Sequence, residues 1–270
     1  MSLLEQISSC IDRIRTRNPL IHHISNYISL NDCANVTLAI GASPIMANDP
    51  AEVVEVVSQA AALVLNLGTP NTRMLESLLL AGRKANDLGI PVILDPVGAG
   101  FTQIRTRTAE QLLHSIRLTA VRGNLAEIRR LTGDITAMRG IDSLADAENA
   151  TTAVRRAAAQ FGCLVAATGA TDFISDGHMV CQVRNGTPLL SRVTGTGCMT
   201  TSLVAACCAA NGPALVSVVA GVMFMGVAGE IAQEYMQPGE GTGSYRVRLL
   251  DAVSNLTERN VWEKGRCTVD

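Results

Sequence analysis

The sequence is poor in aromatic rings and in charge. Phe, Trp and Tyr make up 3% of its 270 residues, and Asp, Glu, Lys and Arg only 17%. With a net charge of −2, it has no basic excess to track a nucleic-acid backbone, and few rings on which bases could stack. None of its eight cysteines (Cys10, Cys33, Cys163, Cys181, Cys198, Cys207, Cys208 and Cys267) forms a C-x-x-C pair. Scattered through a long apolar chain, they read as reduced thiols of a cytoplasmic protein, not as a disulfide framework. His22, His23, His114 and His178 are too dispersed to complete a zinc site. Nothing pairs His22 or His23 with a nucleophile, so both read as structural.

Another absence is local. No charged residue occurs between Val193 and Gly229, a run long enough to raise the question of a membrane span. Asn211-Gly212-Pro213 divides it into two helices, each shorter than the roughly 20 apolar residues that a span requires. Their Gly, Ser, Thr and Ala content suits buried helices covering a sheet, the second facing a partner subunit. The opening segment "MSLLEQISSCIDRIRTRNP" carries charges throughout and reads as an amphipathic helix, not a signal peptide. Neither a membrane nor a nucleic acid is expected as a partner.

Hydrophobic residues are plentiful, at 47%, enough for one well-buried domain over 1–270. The runs "LVLNLG" (63–68), "PVILDPVG" (91–98), "LTAVRGN" (118–124) and "CLVAATG" (163–169) read as strands buried on both faces. "ASPIMA" (42–47) is a further candidate. Helical patterns over 72–89 and 143–162 lie between them and close at Gly89 and Gly162. "TDFISDGHMVCQVRNG" (171–186) reads as a hairpin turning near Asp176-Gly177, and the last third is mostly helical. This alternation predicts an α/β fold, a central and mostly parallel sheet with helices on both faces.

Ligands of such sheets collect at the carboxyl ends of the strands. There the chain sets Asp95-Pro96-Val97-Gly98, Arg122-Gly123-Asn124 with Glu127, and Thr168-Gly169. Opposite them stands "TGTGCMTTS" (194–202), a glycine-rich turn entering a helix, whose amides suit an anion. Cys198 falls in the first helical turn, where the positive helix end favours a thiolate. Asn124 and Glu127, three residues apart, suit a helix cap as well as a metal site.

Together with "NPLIHHISNYISLNDCANVTLAIGASPIMA", the motifs "LDPVGAG", "VRGNLAEI", "ATGATDFISDG" and "TGTGCMTTS" resemble the hydroxyethylthiazole kinases of the ribokinase-like superfamily along essentially the whole chain. The resemblance implies transfer of a phosphoryl group from ATP, as co-substrate with Mg²⁺, to the hydroxyl of 4-methyl-5-(2-hydroxyethyl)thiazole in thiamine salvage. It implies a homotrimer with active sites at subunit interfaces. It also implies roles for particular residues. Cys198 stands where related kinases carry an aspartate base. Arg122 and Thr168 match the ATP contacts, and Met46 and Gly195 the thiazole contacts, with Asn26 a further substrate candidate beside Gly68 and Thr69. Gly195, Thr196, Gly197 and Cys198 supply the anion hole. Asp95, Asn124 and Glu127 match the metal-binding positions, holding Mg²⁺ through water.

Two other activities share the fold. A hydroxymethylpyrimidine or pyridoxal kinase fits the N-terminal block and the Gly-Thr-Gly-Cys turn less well. An ATP- or ADP-dependent dehydratase of nicotinamide-cofactor hydrates would carry aspartate where Cys198 stands.

Overall fold

The computed structural model describes residues 2–134 and 144–270, with the side chains of 144–147 left aside. Nine strands form one sheet: β1 (Leu20–Ile24), β2 (Ser43–Met46), β3 (Ala62–Asn66), β4 (Val92–Asp95), β5 (Ala120–Asn124), β6 (Leu164–Thr168), β7 (Asp172–Ser175), β8 (Val180–Val183) and β9 (Cys267–Val269). Their order is β2-β1-β3-β4-β5-β6-β7-β8-β9. The pairs from β2 through β6 are parallel; β7, β8 and β9 extend the sheet antiparallel. The predicted hairpin is β7–β8, and Gly177 takes a φ of +96° in its turn.

Helices α1 (Leu3–Ser8), α2 (Cys10–Arg17), α3 (Leu30–Ile40), α4 (Val53–Val57), α5 (Thr72–Leu88), α6 (Gln103–Ser115), α7 (Leu125–Leu131), α8 (Leu144–Phe161), α9 (Thr196–Asn211), α10 (Leu215–Glu234), α11 (Thr242–Ser254) and α12 (Glu258–Lys264) cover both faces. Two separate cores follow from the pleat. Ala62, Val64, Ile93, Ala120 and Ala166 pack in the layer of α2, α9 and α10. Leu63, Leu65, Val92, Leu94, Val121 and Val165 face the layer of α5, α6 and α8. In the middle of the sheet both faces are buried, so β3, β4 and β6 are apolar up to their last residue.

One strand adds to the sequence reading and two readings need correction. "LIHHI" forms β1 between β2 and β3, although its two histidines mask the apolar run. The N-terminal helix is two helices meeting at Ser9. Helix α10 has 20 residues, so by length it reaches the span threshold that the sequence reading placed beyond it. Its residues from Ser217 to Gly229 are buried inside this one chain, against α9 and the sheet. The lack of charge there reflects a core helix, and no partner subunit is needed to explain it. Residue 143, where the helix ending at 162 was predicted to start, lies outside the described residues.

Candidate active site

Alternation along the strands decides which polar residues meet. Asn66 follows Ala62 and Val64, Asp95 follows Ile93, Arg122 follows Ala120, and Thr168 follows Ala166, each two residues on. All four therefore leave the carboxyl end of the sheet on the α9 side. Register brings Asn66 beside Asp95 and Asn124 beside Thr168.

The N-terminus of α9 faces this row. Gly195 caps the helix with a φ of +87°, a left-handed conformation closed to most other residues. The Met199 N–H gives the first intrahelical bond, to the Gly195 carbonyl at 2.8 Å. The amides of Thr196, Gly197 and Cys198 therefore have no intrahelical acceptor and remain for an anion. Beside them opens a cleft of about 530 Å³, lined by Arg122, Thr168, Asp172, Thr196, Gly197 and Met225 among others. Arg122 projects into it from β5, only 12% exposed, and donates from Nη2 to Thr168 Oγ1. Its Nη1 lies 3.9 Å from Asp95 Oδ2, and its Nε is buried without a partner. Four predicted residues (Arg122, Thr168, Thr196 and Gly197) thus share one cleft. Asp172 is a fifth member that sequence reasoning missed. It ties the Gly169 N–H at 2.9 Å, and burial pushes its carboxyl up to about 7.

Below the helix end lies a buried polar cluster. Asn66 Nδ2 donates to Asp95 Oδ2 at 3.1 Å and to Cys198 Sγ at 3.2 Å. Asn26 Nδ2 donates to Asn66 Oδ1 at 2.8 Å and to Ser29 Oγ at 2.9 Å, and reaches Cys198 Sγ at 3.6 Å. Thr201 Oγ1 donates to Asp95 Oδ2 at 2.8 Å, whereas Asp95 Oδ1 is buried and unpartnered. Neither Asn66 nor Thr201 was singled out from the sequence. Asn66 ends its strand as Asp95 ends the next, which is the signal that could have found it.

The environment of Cys198 reverses one expectation. Burial raises the thiol above its ordinary value, and the Asp95 carboxylate pushes in the same direction. Hydrogen bonds from Ser29 and Asn66 and the charge of Arg122 oppose this without overcoming it. A helix N-terminus favours an anion by about 0.3–1 kcal/mol, less than desolvation of a thiolate costs.

Asn124 and Glu127 form a complete capping box at the start of α7. Glu127 N–H donates to Asn124 Oδ1 at 2.9 Å, and Asn124 N–H to Glu127 Oε2 at 2.8 Å. The remaining oxygen, Glu127 Oε1, accepts the Gly98 N–H at 2.7 Å. Among the described residues, no three His, Cys, Asp or Glu side chains gather as a metal cluster. Met46 ends β2, the outermost strand, half-buried and two strands from β3. It is not part of the cleft around Arg122, and neither is Asn26. His22 Nε2 donates to the Ala47 carbonyl at 2.8 Å, and His23 Nε2 lies 3.1 Å from Ser202 Oγ. Burial lowers His23 to about 4, so it is neutral at pH 7, as a structural histidine should be.

A sequence model described as the hydroxyethylthiazole kinase family matches residues 11–259. The chain belongs to the hydroxyethylthiazole kinase family. It is 50% identical over 266 residues to a protein named hydroxyethylthiazole kinase from Alkaliphilus metalliredigens, covering 98% of each. A protein of the same name from Ruminiclostridium cellulolyticum is 50% identical over 265 residues, 97% of each chain. Among solved structures, a hydroxyethylthiazole kinase protein from Pyrococcus horikoshii superposes with a TM-score of 0.88 at 36% identity, covering 98% of both chains. A Staphylococcus aureus pyridoxal kinase bound to AMP-PCP and pyridoxal superposes at 0.59 with 13% identity, over 93% of this chain and 98% of its own. That likeness speaks for the ribokinase-like fold alone. Family membership makes this hydroxyethylthiazole kinase homologue a phosphotransferase.

Proposed function

We propose that the chain phosphorylates the hydroxyethyl side chain of 4-methyl-5-(2-hydroxyethyl)thiazole with ATP. The observation that carries this reading is Arg122, hydrogen-bonded to Thr168 and packed against Gly197, at the mouth of the free amides of α9. Phosphoryl transfer passes through a loose transition state, so positioning and charge stabilisation supply most of the rate. In this reading the guanidinium of Arg122 takes the nucleotide phosphates with its planar fork. Thr168 orients it and offers its own hydroxyl. The amides of Thr196, Gly197 and Cys198 receive the charge that builds on the transferring group.

Cys198 takes the proton of the acceptor hydroxyl at Sγ. Because burial raises the thiol, only a small fraction is thiolate at neutral pH, and the amides rather than the base provide most of the acceleration. Asn26 and Gly195 would hold the acceptor beside Sγ, with Met46 against the thiazole ring. Mg²⁺ would neutralise the phosphate oxygens. Asp95 suits it, since Oδ1 is buried with no partner. Asn124 and Glu127, whose oxygens already serve backbone amides, would act on it through water.

A homotrimer with shared sites, in the cytoplasm, completes the proposal. Tyr27 and Ile28, 77% and 58% exposed, directly follow Asn26 and leave apolar surface beside the acceptor side for a second subunit. Separation of Met46 from the cleft within one chain supports the same arrangement. Incubation with ATP and Mg²⁺ and, in turn, the thiazole alcohol, hydroxymethylpyrimidine and pyridoxal tests the reading. ADP release with the thiazole alone is the expected result, and preference for either other acceptor would refute it.

A further inference from the structure

We propose that Asn66 is the positioning residue of Cys198, holding its sulfur at the end of α9 through the side-chain amide. Asn66 is buried at the last position of β3. Its orientation is fixed from the backbone, since Oδ1 accepts the Gly68 N–H at 2.9 Å in the turn that follows. That leaves Nδ2, with two hydrogens, facing two acceptors: Asp95 Oδ2 and Cys198 Sγ. Both hydrogens are used, and among the described residues Asn66 is the one side chain that joins the sulfur to the sheet's carboxylate.

Asn26 is not an equal alternative. Its Oδ1 accepts the N–H groups of Ile28 and Ser29, both at 3.0 Å, so its Nδ2 also turns inward. There two hydrogens meet three acceptors, and the sulfur is the most distant, at 3.6 Å. The bond from Asn66 is shorter and unshared. A donor aimed at sulfur favours its lone pair and its anion over a bound proton, which is what a proton acceptor needs. The same bond keeps Sγ from swinging to another rotamer away from the amides of Thr196 and Gly197.

This inference rests on the part proposed for Cys198, and a double-mutant cycle separates the two. Asn66→Ser is the main variant, because a serine hydroxyl can still accept the Gly68 N–H two residues on but cannot reach the sulfur. Asn66→Ala is the second variant, and unchanged thermal melting checks folding for both. Steady-state kinetics should show kcat lowered about tenfold, the scale of one hydrogen bond to a charged group, with the ATP KM within about twofold of wild type. In a Cys198→Ala background the same Asn66 substitutions should lower kcat less than about twofold. An equal loss in both backgrounds, or none in either, overturns the assignment of Asn66 alone. Cys198→Ala indistinguishable from wild type removes the thiol from catalysis, and the assignment of Asn66 with it.

Discussion

The guanidinium of Arg122 rests on the backbone of Gly197 so closely that a Cβ there would stand 2.7 Å from Nη1. The glycine in the helix end is thus the space that Arg122, the proposed phosphate ligand, occupies. Gly197→Ala must displace Arg122 or the loop. It should raise the ATP KM about tenfold or more, and Arg122→Ala by about 10- to 100-fold, with smaller changes for the thiazole. Initial-rate kinetics with each substrate varied check this. An ATP KM unchanged in Arg122→Ala would remove that residue from the nucleotide site.

With Cys198 as the proposed base, its raised thiol predicts a pH signature for the reaction. A base must be deprotonated, and its ordinary value of 9.0 is moved upward, so the thiolate fraction grows throughout the neutral and mildly alkaline range. Wild-type kcat should rise with pH from 6 toward 9, by close to tenfold per unit at most. Cys198→Ala should lower kcat about 10²-fold at neutral pH and flatten the profile. A flat wild-type profile measured under saturating substrates contradicts the role.

Capping and metal binding separate at Glu127. Glutamine keeps one acceptor oxygen, enough for the Asn124 N–H of the box, but turns its NH2 toward the Gly98 N–H and carries no charge. Glu127→Gln should lower stability by about 1–3 kcal/mol, since one backbone amide loses its acceptor, and raise the Mg²⁺ concentration for half-maximal activity several-fold. Asn124→Ala should also destabilise the fold, by about 0.5–2 kcal/mol, and denaturant titration measures both losses. If the Mg²⁺ requirement of Glu127→Gln equals that of wild type, Glu127 only caps α7.

Asp172 makes stability depend on pH. Its carboxyl is raised from 3.8 to about 7 by burial, so the folded state holds a proton there that the unfolded state releases. Between about pH 4 and pH 7 the native state binds more protons, and stability contributed at this site falls as pH rises. Asp172→Asn keeps an acceptor for the Gly169 N–H and cannot ionise. The decline in Tm from pH 5 to pH 8 should therefore be smaller in the variant by a few degrees. Identical declines in calorimetry would show that Asp172 does not titrate in this range.

Light scattering tests the shared-site arrangement directly. The expected mass is three times that of one chain. Tyr27→Asp should shift it toward monomer and raise the thiazole KM more than the ATP KM. A fully active monomer would sink this arrangement.

Much of the site was legible before any fold was known. Asp95, Arg122 and Thr168 end apolar runs, and a glycine-rich turn ahead of a small-residue helix announces anion binding. β1 was missed because His22 and His23 interrupt its hydrophobicity, although burial keeps them neutral there. The burial of α10 was legible from its lack of charge, but composition does not distinguish a helix hidden in its own chain from one covered by a partner.

The order of residues by itself determined the parallel α/β layering, the family pattern and the candidates at the strand ends, since these depend on local periodicity and turn chemistry. Only the tertiary structure decided that the strand-end side chains share one face and that Asn66 joins Asp95 to Cys198. It also decided that the thiol is raised rather than lowered. Register across crossovers sets the first two, and the third is a balance between a helix end and burial. The chain shows which groups carry charge, but how far each is taken out of water is fixed only when distant segments pack around it.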